Sequence, residues 1–147
     1  MSNRILSYRG LLANAAQDTI LLSTKKGEVG YRIIKFDIFP NQPGAVGSES
    51  VIKVYTEQQS GVDALVDFSN QKLIGAAFYS QAANVSYTPN KIITIVDSEI
   101  FNQDIYVTFS EIGGTDQECN YYLELEVIKL SEDQAMVATL KDIRNNS

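Results

Sequence analysis

An all-β fold is what this chain predicts: an antiparallel β-sandwich or jelly roll with one C-terminal α-helix. Three observations carry that expectation. Apolar residues recur at every second position in short runs, as Ile105, Val107 and Phe109 do against Tyr106 and Thr108. No amphipathic helix lies between those runs, so the crossovers that a parallel sheet requires are missing. A single helical stripe closes the sequence. The chain of 147 residues is long enough for one domain with its own core. We expect an N-terminal extended segment over 1–17 and a single β-sandwich domain over 18–147.

The elements follow in order. Tyr8-Arg9-Gly10-Leu11-Leu12 can pair as a short strand, and Ala13 to Gln17 reads as a loop or one turn. Thr19 to Ser23 is β-branched and apolar, and Thr24-Lys25-Lys26-Gly27-Glu28 turns it. Val29 to Phe39 is the clearest run of the first half, with Ile34, Phe36 and Ile38 on one face and Lys35 and Asp37 on the other. Pro40 lacks an N–H and ends it. Ser50 to Thr56 reads as a strand, Val62 to Phe68 as a weaker one, and Lys72 to Ser80 as a stronger one. Lys91 to Val96 is nearly continuous aliphatic. Asp104 to Ser110 and Asn120 to Leu130 both alternate. Ser131 and Gln134 then form a capping box, Glu132 and Asp133 suit the first turn of a helix, and Met136, Leu140 and Ile143 line up on one side. This predicts a helix over 132–144.

Composition excludes several chemistries. The chain has no histidine and one cysteine, Cys119. Ser-His-Asp and Cys-His catalysis and histidine-based zinc sites are therefore ruled out. One cysteine makes no internal disulfide, so the fold is independent of an oxidising compartment. Glu118 beside Cys119 works against a thiolate, which makes Cys119 a packing residue. With 12 basic and 18 acidic groups the formal charge is −6, a poor match for nucleic acid or an anionic membrane. No apolar run reaches the roughly 20 residues of a transmembrane helix, and the first residues carry no apolar stretch of signal-peptide length. We expect synthesis in a cytoplasm, no enzymatic activity and no cofactor.

Two kinds of surface remain. Carboxylates gather in loops 97–104 and 111–118, where Asp97, Glu99 and Asp104, and Glu111, Asp116 and Glu118, have the chemistry of calcium ligands without EF-hand spacing. A solvated acidic rim is the simpler reading. Tyrosine is the second kind. There are eight tyrosines and no tryptophan, and Tyr106 and Tyr122 oppose the main apolar face of their strands. A tyrosine there buries apolar area in a protein contact while keeping its hydroxyl polar. Leu6, Tyr8, Leu11 and Leu12 carry apolar area on a stretch without a period of its own. They need a covering surface, either the chain's own sheet or another subunit. We expect Leu6, Tyr8, Leu11, Leu12, Tyr106 and Tyr122 to make contacts between subunits.

Three stretches carry a resemblance: Arg4-Ile5-Leu6-Ser7-Tyr8-Arg9-Gly10-Leu11-Leu12, Glu99-Ile100-Phe101-Asn102-Gln103-Asp104-Ile105-Tyr106-Val107, and Asn120 to Leu130 with the helix after it. In order and character they resemble small structural proteins of tailed bacteriophages of marine bacteria. The likeness covers both ends and is weak over residues 40–90. It implies a virion component, made in the host cytoplasm: a capsid cement or decoration protein, or a small tail protein. Its partners would be a major capsid protein or tail components and further copies of itself. No motif defines a functional residue, so none is carried over. The alternative from another class is a tail or adhesion module that binds carbohydrate on a host surface.

The capping box gives a direct test. Ser131→Ala should lower stability by about 1 kcal/mol, the scale of a lost N-cap hydroxyl. An unchanged denaturant midpoint would mean that no helix begins there.

Overall fold

A computed structural model describes residues 4–22, 29–42, 47–80, 91–114 and 117–129. The helix expected over 132–144 lies outside the described residues. Eight strands are described: β1 (Ile5–Leu12), β2 (Gln17–Ile20), β3 (Val29–Pro40), β4 (Glu49–Tyr55), β5 (Leu73–Ser80), β6 (Lys91–Val96), β7 (Ile105–Glu111) and β8 (Cys119–Lys129). They form two antiparallel sheets, β1-β8-β3 and β2-β7-β4-β5-β6. The described residues are all-β, as the periodicity of the sequence predicts.

Both sheets contribute to one buried cluster. Ile33, Phe36, Ile38, Tyr121, Leu123 and Leu125 come from the three-stranded sheet, and Ile52, Val54, Ala77, Ile105, Val107 and Phe109 from the five-stranded one. Ile52, Val54, Ile105, Val107, Phe109, Leu123 and Leu125 have no exposure at all. Burying a large aliphatic or aromatic side chain of this kind stabilises by roughly 1.5–3 kcal/mol. The strict alternation of β7 and β8 is what aims these residues at one another.

The alternation breaks once in β3, and there the sequence pattern misleads. Ile33 pairs with Leu125 and Lys35 with Glu124, so Ile34 is an extra residue in a bulge. A one-residue insertion reverses which face the following side chains take. Before the bulge Tyr31 and Ile33 point inward; after it Phe36 and Ile38 do. Ile34, expected to share a face with Phe36 and Ile38, is 41% exposed.

The weak strand expected over Val62 to Phe68 is a loop instead. Local side-chain bonds replace a ladder there. Asp63 accepts from the Leu65 N–H, Asp67 from the N–H and hydroxyl of Ser69, and Asn70 from the Lys72 N–H. Such turns compete with strand pairing wherever Asp and Asn recur.

The N-terminal segment expected to be extended over 1–17 contains β1. Residues 5–12 are an edge strand of the sheet, paired along their whole length with β8 from Ile5↔Glu126 to Leu12↔Cys119. Leu6, Tyr8, Gly10 and Leu12 face inward, and Ile5, Ser7, Arg9 and Leu11 face out. The period is obscure in the sequence because glycine sits on the inward set while isoleucine and leucine sit on the outward one. Gly10 is there for space. A Cβ at that position would lie 2.9 Å from both the Tyr121 ring and its hydroxyl, and 3.0 Å from an Asp18 oxygen. The gap admits the bond from the Tyr121 hydroxyl to Asp18 Oδ2, 2.9 Å, which ties β8 to β2 across the two sheets. Burial, with the carboxylate beside it, pushes the Tyr121 phenol well above its ordinary value, so it stays a donor.

Leu12 is 2% exposed and part of the shared core. Leu12→Ala should therefore cost about 2–5 kcal/mol in a denaturant titration. Deleting residues 2–12 would strip β8 of one neighbour and should abolish the cooperative transition. A truncated chain with an unchanged midpoint would restore the picture of a separate arm.

Candidate functional site

The residues expected to contact other subunits divide between places. Leu6 and Tyr8 are half-buried against the chain's own core, and Leu12 is inside it. Their apolar area is covered within the chain. Leu11 points the other way and is 45% exposed. Tyr122 lies on the same outward face of the three-stranded sheet. Tyr106 lies on the outer face of the other sheet, paired with Tyr55, and is half-buried. The structure thus brings Leu11 and Tyr122 together and leaves the other four elsewhere.

The outer face of the three-stranded sheet is laid out in rows by register. Leu11, Asn120 and Phe39 form one row, Arg9, Tyr122 and Asp37 the next, and Ser7, Glu124 and Lys35 a third. Tyr122 donates its hydroxyl to Glu124 Oε2 at 2.7 Å, and that bond raises its pKa above the ordinary value. The Lys35 ammonium stands 5.7 Å from the Tyr122 ring centroid, and Arg32 pairs with Glu126 across the strands. The first two rows floor an open groove of about 610 Å³, with Phe39, 64% exposed, on its rim. Its lining combines two tyrosines, a phenylalanine, two aliphatic side chains, one cation, one anion and an amide, which suits mixed polar and apolar contacts to a sugar or a peptide.

A second surface was not singled out by the sequence. β6 is an edge strand, paired on one side with β5. Ile92, Ile93 and Ile95 are each at least half exposed and Val96 is 36% exposed, so both faces of the strand present aliphatic surface. Phe68, Ile95 and Val96 share one hollow of about 220 Å³ with Leu73 and Ile74. Leu65, Val66 and Phe68 on the preceding loop are also exposed. The signal available was the unbroken aliphatic run. Such a run normally marks a strand covered on both faces; here both faces keep exposed aliphatic surface, although β3 packs beside the strand.

The loop beside this surface is pinned by a buried cation. Lys53 sits on the outer face of β4 with its side chain 3% exposed, and its ammonium donates to Asp63 Oδ1 at 3.0 Å and to the Leu65 carbonyl. It also stands 5.4 Å from the Tyr55 ring centroid. Gln17 and the Gln59 backbone exchange two hydrogen bonds of 3.0 and 2.9 Å, fixing the start of the same loop to β2.

The acidic loops have structural employment. Asp104 accepts from the Leu22 N–H at 2.9 Å, Asp97 from the Glu99 N–H, and Glu111 from the N–H groups of Glu49 and Gly113. Glu111, only 6% exposed, corrects the reading of a merely solvated rim. A carboxylate held by several N–H donors is already satisfied as an anion. Among the described residues no three His, Cys, Asp or Glu side chains are placed to hold a metal ion. Cys119 is fully buried, and desolvation pushes its thiol up to about 12, far from a reactive thiolate. Compared with family models and with curated proteins, the chain matches none.

The pinned loop has a pH signature. The hydrogen bond from Lys53 holds the Asp63 carboxyl below its ordinary value of 3.8. Its stabilisation is complete above that value and is lost as pH falls through the lower native one. Asp63→Ala should cost on the order of 1 kcal/mol, small because the carboxylate is largely exposed. Limited proteolysis should then cut faster within residues 57–72, and the variant's stability should lose part of its acid dependence. Unchanged cleavage would mean that the Leu65 carbonyl alone holds the loop.

Proposed function

We propose that the chain is a jelly roll serving as a non-enzymatic structural subunit of a virion, a capsid cement or decoration protein that acts through repeated protein contacts. The pairing order supports the fold. In a jelly roll the first strand lies beside the eighth, the second beside the seventh and the fourth beside the fifth, and the eighth and seventh in turn flank the third and fourth. The pairs β1·β8, β2·β7, β4·β5, β8·β3 and β7·β4 follow that scheme. The departure is β6, which pairs with β5 and not with β3. Jelly rolls occur in viral capsid proteins and in lectins, so the fold alone is compatible with both readings and decides neither.

The observation that carries the functional reading is the aliphatic ridge of β6 with Phe68 beside it. Exposed apolar area of this kind on a strand edge is a surface made for another protein. The virion setting rests on the resemblance of residues 4–12, 99–107 and 120–130. The groove floored by Arg9, Asp37, Asn120 and Tyr122 favours the second reading, a tail or adhesion module that binds carbohydrate.

Immunogold labelling separates these. An antibody to the full chain, applied to purified particles of the phage that encodes it, should decorate the shell at many regularly spaced points. Label confined to the tail tip would support the carbohydrate-binding module. Particles without label would overturn the virion assignment.

A further inference from the structure

We infer that two copies of this chain join edge to edge through β6, antiparallel, about a two-fold axis at Thr94. The inference rests on the reading above, that the protein works by protein contacts, and specifies one of them.

The backbone of β6 says what kind of partner fits. The Asp97 N–H donates to the Ile74 carbonyl. Hydrogen-bonded and non-bonded positions alternate along an antiparallel ladder. Residues 95 and 93 therefore spend their N–H and C=O groups on β5, and Ile92, Thr94 and Val96 turn theirs to the open side. Among the described residues no strand takes them. A row of three outward donor–acceptor pairs is satisfied best by another extended strand.

The other edges are blunted, and β6 is not. β2 is four residues long and mostly polar. β3 carries the Ile34 bulge and is bridged at Tyr31 by Phe101, with bonds of 2.7 and 2.9 Å. β1 has Arg9 at its middle and faces its own core with Gly10. These are the devices that keep a strand edge from pairing. Residues 92–96 of β6 have no charge, no proline and no bulge.

The sequence of β6 is complementary to itself. With the axis at Thr94, Ile92 of one copy faces Val96 of the other, Ile93 faces Ile95, and Thr94 faces Thr94. Every cross-strand pair is β-branched, the type that packs well across a ladder. The Ile93–Ile95 pairs fall on the side of the sheet that carries Phe68. Charge selects the direction. Asp97 and Glu99 follow the strand on a chain of formal charge −6. A parallel arrangement would stack these acids. The antiparallel one sets the two Asp97 residues six positions apart, about 20 Å, roughly twice the screening length in physiological salt. The contact is isologous, so it closes at two copies and leaves the groove on the three-stranded sheet free for a different partner.

The test uses single cysteines in the full chain, with Cys119 buried and out of reach. At the axis the two α-carbons would stand about 5.5 Å apart, within disulfide range. Thr94→Cys should oxidise to a covalent dimer, reversed by reductant. Ile92→Cys places its two copies about 14 Å apart and should cross-link at least tenfold less. Thr94→Pro removes an N–H that β5 does not use; it should leave the circular dichroism unchanged and convert a dimer in sedimentation equilibrium to monomer. A wild-type chain that stays monomeric at high micromolar concentration would overturn the pairing, while particle labelling judges the assembly reading separately. A dimer that Thr94→Pro leaves intact, or that Ile92→Cys traps and Thr94→Cys does not, would overturn the axis.

Discussion

The inward-facing rows of the two sheets have to stay in phase along every strand, because a slip of one residue exchanges all inward side chains for outward ones. This parity is the constraint on which the rest depends. In β8 it is kept without interruption: Tyr121, Leu123 and Leu125 are buried and Tyr122, Glu124 and Glu126 are not. In β3 it is kept only by inserting Ile34, which lets Tyr31 and Ile33 face the core on one side of the bulge and Phe36 and Ile38 on the other. The same device appears in β5, where Val54 pairs with Gly75 and Tyr55 with Leu73, leaving Ile74 as the extra residue. Gly75 leaves ordinary van der Waals room there, since a Cβ would sit 3.5 Å from Phe36 and Val54.

Parity also explains what could be read in advance. Where alternation is strict and the two faces differ in polarity, as in β7 and β8, strand, face and core residues were all legible. Where a bulge resets the count, the strand was legible and the face of Ile34 was not, because nothing in Ile33-Ile34-Lys35 marks which residue is extra. In β1 both faces carry apolar groups, so its place in the core is hidden in the sequence, and of the two covers open to Leu12 the chain's own core is the one the fold supplies. At Val62 to Phe68 the aliphatic residues suggested a strand, but Asp63, Asp67 and Asn70 take the backbone N–H groups first.

The candidate site was legible only in part. Tyr122 could be placed on an outer surface because Tyr121 and Leu123 beside it are apolar and inward; Leu11 could not, because its stretch shows no period of its own. Their meeting with Phe39 and Arg9 depends on the register between β1, β8 and β3, which no local pattern contains. The β6 ridge was beyond sequence reasoning for a different reason. An aliphatic run reads the same at the centre of a sheet and at its edge, and only the strand order separates the two cases. Lys53 is a similar case: a lysine in an apolar strand looks like an outward surface residue, and it is outward, yet a loop closes over it.

β8 has one more consequence, and it concerns the order of events as the chain is made. It is the middle strand of its sheet, yet it is the last of the eight to leave the ribosome. Among the described strands it alone pairs with both β1 and β3, and its pairing Ile5↔Glu126 joins residues far apart in sequence. Closing so long a loop adds little entropy cost beyond a shorter one, but non-local pairing of this kind slows folding. The nascent protein therefore waits with half its core open until β8 has been made, and during that interval the aliphatic β6 edge, with only β5 beside it in the sheet, is already exposed.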